Sequence, residues 1–184
     1  ALVASGATLT VDATALTTGS STLTWTGSLE ADGKFSVTGG DNNDTILGGA
    51  GADTIDGAAG NDSITAGAGA DSIVGGANDD TIVLAGNLTV ADTIAGGTGT
   101  DTLTFTDAGG AVNELDNVTT VETITLGDAA TAVTTVDALV ASGATLTVDA
   151  TALTTGSSTL TWTGSLEADG KFSVTGGDNN DTIL

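Results

Sequence analysis

From Gly39 to Thr104 the chain counts in nines, and this period constrains the fold more than any other property of the sequence. The stretch reads GGDNNDTIL, GGAGADTID, GAAGNDSIT, AGAGADSIV and GGANDDTIV. An Asp holds the sixth place of each unit: Asp44, Asp53, Asp62, Asp71 and Asp80. An Ile holds the eighth: Ile46, Ile55, Ile64, Ile73 and Ile82. After a slip of three residues the phase returns with Asp92/Ile94 and Asp101/Leu103. Gly, and in places Asn, admits positive φ, so six residues can curl into a tight loop. The three that follow, such as Thr45-Ile46-Leu47, are extended, with the middle side chain directed inward and its neighbours outward. Two units then complete one turn, and residues eighteen apart stack. One edge is expected to carry Asp44, Asp62 and Asp80, and the other Asp53 and Asp71.

Stacked at one strand spacing, roughly 5 Å, these carboxylates repel one another until a cation sits among them. The curled loops also turn main-chain carbonyls toward the same place. A set of oxygen donors with no nitrogen or sulfur suits Ca²⁺. The candidate metal ligands are Asp44, Asp53, Asp62, Asp71, Asp80, Asp92, Asp101 and Asp181. Asp107 lies outside the periodic block and is expected to take no part. A G-G-x-G-x-D-x-U-x nonapeptide is the pattern of calcium-binding parallel β-helices. The chain resembles the RTX (repeats-in-toxin) family of secreted bacterial proteins on these residues.

A longer repeat encloses the short one. Residues 1–47 and 138–184 are identical, at an offset of 137. The chain reads as one 137-residue unit and the first 47 residues of another, a window on a longer tandem array. Four segments follow: a strand-rich stretch over 1–38, the nonapeptide block over 39–104, a second strand-rich stretch over 105–175, and the start of the next block over 176–184. Lys34-Phe35-Ser36-Val37-Thr38 runs straight into Gly39-Gly40. Phe35 and Val37 hold the sixth and eighth phases of a preceding unit, with the ligand position made apolar. Beyond Thr104, strands are expected over 102–106, 121–126, 133–138, 145–150, 159–164 and 171–176. Val121-Glu122-Thr123-Ile124 keeps an acid two residues before Ile, but the Gly-Gly elbows are gone, so this half is read as free of calcium.

The expected fold is all-β: a right-handed parallel β-roll or β-helix solenoid, with calcium-binding nonapeptide turns and wider metal-free turns. About seven turns would make up each 137-residue unit. An immunoglobulin-like sandwich over 105–175 is the competing architecture. It needs about seven strands in about 100 residues, and this stretch offers fewer. Trp25 and Trp162 occupy the same repeat position and share parity with inward Leu23 and Leu160. They are read as core filling, with sugar stacking as the alternative; carbohydrate has no other support in the chain.

Charge narrows the function. The net charge is −22, with Lys34 and Lys171 against 24 acids, and there is no Arg or His. Phosphate binding needs cationic side chains, so nucleic acid is not an expected partner, nor is an anionic membrane surface. No apolar run approaches the roughly 18 residues that span a bilayer, so membrane insertion is not expected. With no His or Cys, the usual bases and nucleophiles of catalysis are missing, and the chain is not expected to be an enzyme. Cys is absent, so metal rather than disulfide is the available staple.

The RTX resemblance implies Ca²⁺ as cofactor, several ions per repeat, and export by type I secretion to the cell surface or the medium. The large repeat points to surface proteins built as arrays: S-layers, biofilm adhesins and matrix, or extracellular fibres. Neighbouring copies of the same repeat are then the expected partners. The alternative is a secretion and folding module of an RTX exoenzyme or toxin whose catalytic domain lies elsewhere in the parent chain.

Overall fold

The computed structural model describes residues 3–106, 114–136 and 139–184. Every regular element among them is a β-strand, and every strand pairing is parallel. The first 137 residues supply β1 (Thr8–Asp12), β2 (Thr24–Thr26), β3 (Lys34–Thr38), β4 (Thr45–Leu47), β5 (Thr54–Asp56), β6 (Ser63–Thr65) and β7 (Ser72–Ala77). They continue with β8 (Thr81–Ala85), β9 (Thr93–Thr98), β10 (Thr102–Phe105), β11 (Val118–Thr119), β12 (Thr123–Leu126) and β13 (Thr131–Thr134). The second copy adds β14 (Thr145–Asp149), β15 (Leu160–Thr163), β16 (Lys171–Thr175) and β17 (Thr182–Ile183).

Successive strands fall on alternate faces of a flattened coil. One face is the sheet β1-β3-β5-β7-β9-β11; the other is the eight-stranded sheet from β2 through every even strand to β16. Strands β13, β15 and β17 alternate with the last members of the eight-stranded sheet and form a third sheet facing it. Two strands make one turn, so the chain is a β-solenoid. Parallel strands need a crossover, and here the crossover is the turn of the coil itself.

The inward residues form two stacks. On the even face Trp25, Ile46, Ile64, Ile82, Leu103, Ile124, Val148 and Val174 lie in register. Opposite them run Val11, Val37, Ile55, Ile73, Ile94 and Val118. β-branched side chains suit such a half-buried pleat. Burying each Ile fully contributes roughly 1.5–3 kcal/mol. Each turn is covered by the next. Trp162 is 1% exposed, whereas its counterpart Trp25, in the first turn, is only partly buried. Phe35 is buried, whereas Phe172, in the last full turn, is half-buried. Both tryptophans pack edge-to-face on these rings, at 5.3 Å and 5.5 Å, and contribute to the core.

The described residues of the 105–175 stretch form solenoid, because β10, β12, β14 and β16 are parallel neighbours in one sheet; a sandwich would pair its strands antiparallel. The strand expected over 133–138 begins earlier, as β13 at Thr131–Thr134, and residues 137–138 lie outside the described residues. β11, only two residues long, was not expected at all, since it carries no alternation to read.

The two copies do not sit alike. β1 belongs to the six-stranded sheet, but its counterpart β14 belongs to the eight-stranded one. β3 and β16 differ in the same way. Thirteen strands of the first copy are described, an odd number, so the second copy begins half a turn out of phase. One copy therefore makes six and a half turns.

Candidate metal columns

The sixth-place carboxylates build two ladders along the edges of the coil. On one edge Asp62 Oδ1 accepts the main-chain N–H of Asp44 at 2.7 Å, Asp80 Oδ1 that of Asp62 at 2.8 Å, and Asp101 Oδ1 that of Asp80 at 2.8 Å. On the other edge Asp71 Oδ1 accepts from Asp53 and Asp92 Oδ1 from Asp71, both at 2.8 Å. The expected columns are present, with Asp101 and Asp92 added after the slip. All seven carboxylates are at most 2% exposed. Asp181 repeats the arrangement in the second copy, accepting the Leu160 N–H at 2.8 Å. Asp107 lies outside the described residues.

The columns end where the side chain in phase changes. Asp44 accepts from Leu23 and Asp53 from Phe35, so Phe35 sits in the ligand place with an apolar side chain, as its phase indicates. At the other end of the first column Glu122 Oε2 accepts the Asp101 N–H at 2.8 Å.

The second carboxylate oxygen divides the loops into two kinds. Asp44 Oδ2 and Asp53 Oδ2 each accept an N–H from the second residue of their own loop, Gly40 at 2.7 Å and Gly49 at 2.8 Å. Oδ2 of Asp62, Asp71, Asp80 and Asp101 is buried with no hydrogen-bond partner. In those four loops the second and fourth residues have positive φ: Ala58 and Gly60, Gly67 and Gly69, Gly76 and Asn78, Gly97 and Gly99. Neither Gly40 nor Gly49 does. Positive φ at the second residue and a free Oδ2 go together, because the altered peptide orientation withdraws the N–H. At Asp92, where the unit is three residues longer, the Thr89 N–H and hydroxyl fill Oδ2.

Oδ2 of Asp62, Asp80 and Asp101 lies beside a carbonyl of the next turn at the first glycine of its loop, as Oδ2 of Asp44 and Asp53 does at Gly39 and Gly48. A Cβ built on Gly57 would collide with Asp62 Oδ2 and the Gly75 carbonyl oxygen; one on Gly75 would stand 2.5 Å from Asp80 Oδ2 and from the Gly96 carbonyl oxygen. Glycine is required at these places because two oxygens converge there. The electrostatic cost of the arrangement is visible in the acids. Burial pushes the Asp62 carboxyl up to about 7, opposed by the Asp44 N–H and reinforced by the charges of Asp80 and Asp44. Asp71 and Asp80 rise to about 6, again chiefly through burial. Burial also raises Asp53 and Asp101.

No three acidic side chains gather at one point among the described residues. A cation held here would draw carboxylate oxygen from a column and the rest from loop carbonyls. Hard oxygen donors and buried unpaired acceptors fit Ca²⁺, and no soft ligand competes.

Such stacks of Gly-Asp loops and short parallel strands define a β-roll. The RTX calcium-binding nonapeptide repeat model matches the chain in four copies, over residues 36–64, 57–86 and 91–104. These residues are RTX nonapeptide repeats, a calcium-binding motif, and they are built as a parallel β-roll. No curated protein and no solved structure matches the chain.

Proposed function

We propose that the chain is a calcium-dependent structural repeat of a secreted bacterial surface protein, serving as a length of rod in a fibre, adhesin stalk or lattice. The observation that carries this reading is the continuity of the coil between copies. β12 of the first copy pairs with β14 of the second, Thr123 opposite Thr147, as one rung among others. A chain of such copies has no joint at which to bend. RTX repeats are typical of proteins secreted by bacteria, which suits a device that sets where calcium is plentiful. Asp44, Asp53, Asp62, Asp71, Asp80, Asp92, Asp101 and Asp181 are the proposed carboxylate ligands, with Asp62, Asp71, Asp80 and Asp101 the most exposed to unrelieved charge. Copies of the same repeat are the proposed partners.

Far-ultraviolet circular dichroism at low ionic strength, with calcium and with a chelator, tests the calcium dependence. The β signal is expected with calcium and lost without it; an unchanged spectrum overturns it. Immunogold labelling of intact cells of the producing bacterium tests the location, and label confined to the cell interior overturns the surface role.

A further inference from the structure

The first acidic column does not stop where the nonapeptides stop. Between Thr102 and Thr123 the chain makes one full turn, and these residues are neighbours in the ladder. The loop that should stack on Gly96–Asp101 has shrunk from six residues to three: Thr120, Val121 and Glu122. Glu122 nevertheless behaves as a column member. Its carboxylate takes the Asp101 N–H at 2.8 Å, and its carbonyl accepts the Thr147 N–H at 2.9 Å. Asp80 receives the Thr102 N–H in the same way, and Asp101 the Thr123 N–H. The longer Glu arm spans the residues the loop lacks.

The interval between the two loops is built as the nonapeptide intervals are. Asp101, 0% exposed, leaves Oδ2 buried and unpartnered. A Cβ on Gly96 would collide with the Thr120 carbonyl oxygen and stand 2.6 Å from Asp101 Oδ2, so these oxygens converge as they do above Gly57 and Gly75. The carbonyl is aimed by an unusual backbone: Thr120 has φ 51°, and its hydroxyl accepts the Gly97 N–H at 2.9 Å. A β-branched residue in the left-handed region is a conformational outlier that surrounding structure must hold in place. Beside it opens a cavity of about 90 Å³, lined by Gly97, Thr120 and Glu122 and roofed by Val140 and Thr145. It is polar enough on one side to hold water.

We infer that Asp101, the Thr120 carbonyl and Glu122 form a further divalent-cation site, one turn beyond the recognised motif, completed by water from the adjoining cavity. It rests on the reading that the loops bind calcium. With fewer protein ligands and more retained water, it is the weakest site of its column and the first to empty. It also ends the metal-bound stack, since the next column member, Leu146, is apolar and buried.

Calorimetric titration of the 184-residue chain with Ca²⁺ tests this, using Glu122→Gln and, as control, Asp116→Asn. Gln keeps an acceptor for the Asp101 N–H and removes only the charge; Asp116 is exposed nearby. The expected result is one ion fewer in Glu122→Gln and an unchanged count in the control. Equal counts in wild type and Glu122→Gln, or equal losses in both variants, overturn the site. Should Glu122→Gln fail to fold with calcium, Eu³⁺ luminescence decay of the unaltered chain decides. One ion carrying more bound water than the others supports the site, and uniform hydration overturns it. A wild-type chain that binds no calcium overturns the calcium reading itself.

Discussion

The main-chain N–H of Asp44 ends on Oδ1 of Asp62, eighteen residues along the chain and 2.7 Å away. One carboxylate oxygen is thus committed to the backbone of the turn before it, while the other is buried with no hydrogen-bond partner. Structure and charge can be separated at this residue. Asp62→Asn keeps an acceptor and removes the charge, whereas Asp62→Ala removes both. Without calcium Asp62→Asn is expected to melt higher than wild type, because the repulsion from Asp44 and Asp80 is relieved. With saturating calcium it is expected to melt lower. Asp62→Ala is expected to be lower in both, since leaving the buried Asp44 N–H unpaired costs roughly 1–3 kcal/mol. Thermal melts of the three proteins with and without calcium decide; a melting order unchanged by calcium refutes the division of labour between the two oxygens.

The same buried acids set the response to pH. Folding raises the carboxyls of Asp62 to about 7 and of Asp71 and Asp80 to about 6, from 3.8. A raised carboxyl binds its proton more tightly in the folded chain. Its contribution is full below the unfolded value and is lost as pH rises through the folded one. Metal-free protein is therefore expected to lose stability from about pH 4 to about pH 7. Calcium competes with these protons, so its apparent affinity is expected to fall as pH drops from 8 to 5, with proton release on binding. Chelated samples that are equally stable at pH 5 and pH 8 would contradict this.

Much of this was legible in the sequence, and for a stated reason. The strict Ile at the eighth place could serve only a fixed inward direction, and the stack Ile46, Ile64, Ile82 is its result. Phe35 stands in the phase of Asp, and it occupies that place in the ladder, donating its N–H to Asp53 Oδ1. The two kinds of loop were not legible. Gly40 and Gly67 both stand second in their loops, yet only Gly67 has positive φ. The difference lies beneath them. Gly40 packs against Leu16 of the strand-rich first turn, while Gly67 packs against Gly49 of another nonapeptide loop. Glu122 was visible in phase but discounted, because its loop had lost the glycines that mark the motif.

Glycine tolerance follows from the same stacking. Gly67 has φ 100°, and a Cβ there would collide with the Gly49 carbonyl oxygen; Gly143 has φ 77° but open space around it. Gly156 has open space and no positive φ. Ala is expected to cost roughly 1–2 kcal/mol at Gly143 from the backbone alone, and more at Gly67. At Gly156 it is expected to be neutral or to gain up to about 1 kcal/mol by restricting the unfolded chain. Urea midpoints with calcium present rank the three. Gly67→Ala as stable as Gly156→Ala would show that the loops do not stack as described.

The last expectation concerns copies in series. β1 and β14 are the same sequence on opposite faces, because one copy makes six and a half turns. At about 4.8 Å per turn, a copy advances roughly 31 Å along the axis. In a tandem array each copy should then be turned by about 180° from the last, and identical orientations should recur only every second copy, at roughly 62 Å. A surface feature such as Leu29, 98% exposed, would project from opposite edges in alternation, as its counterpart Leu166 does here at 58%. Such a rod presents the same pattern on both edges, half a period out of step, so any lateral contact between rods is available on either side. Electron cryomicroscopy of a chain of several calcium-loaded copies measures the relation directly. Copies related by translation alone, with every Leu29 equivalent on one edge, would show that the half-turn is not carried along the array.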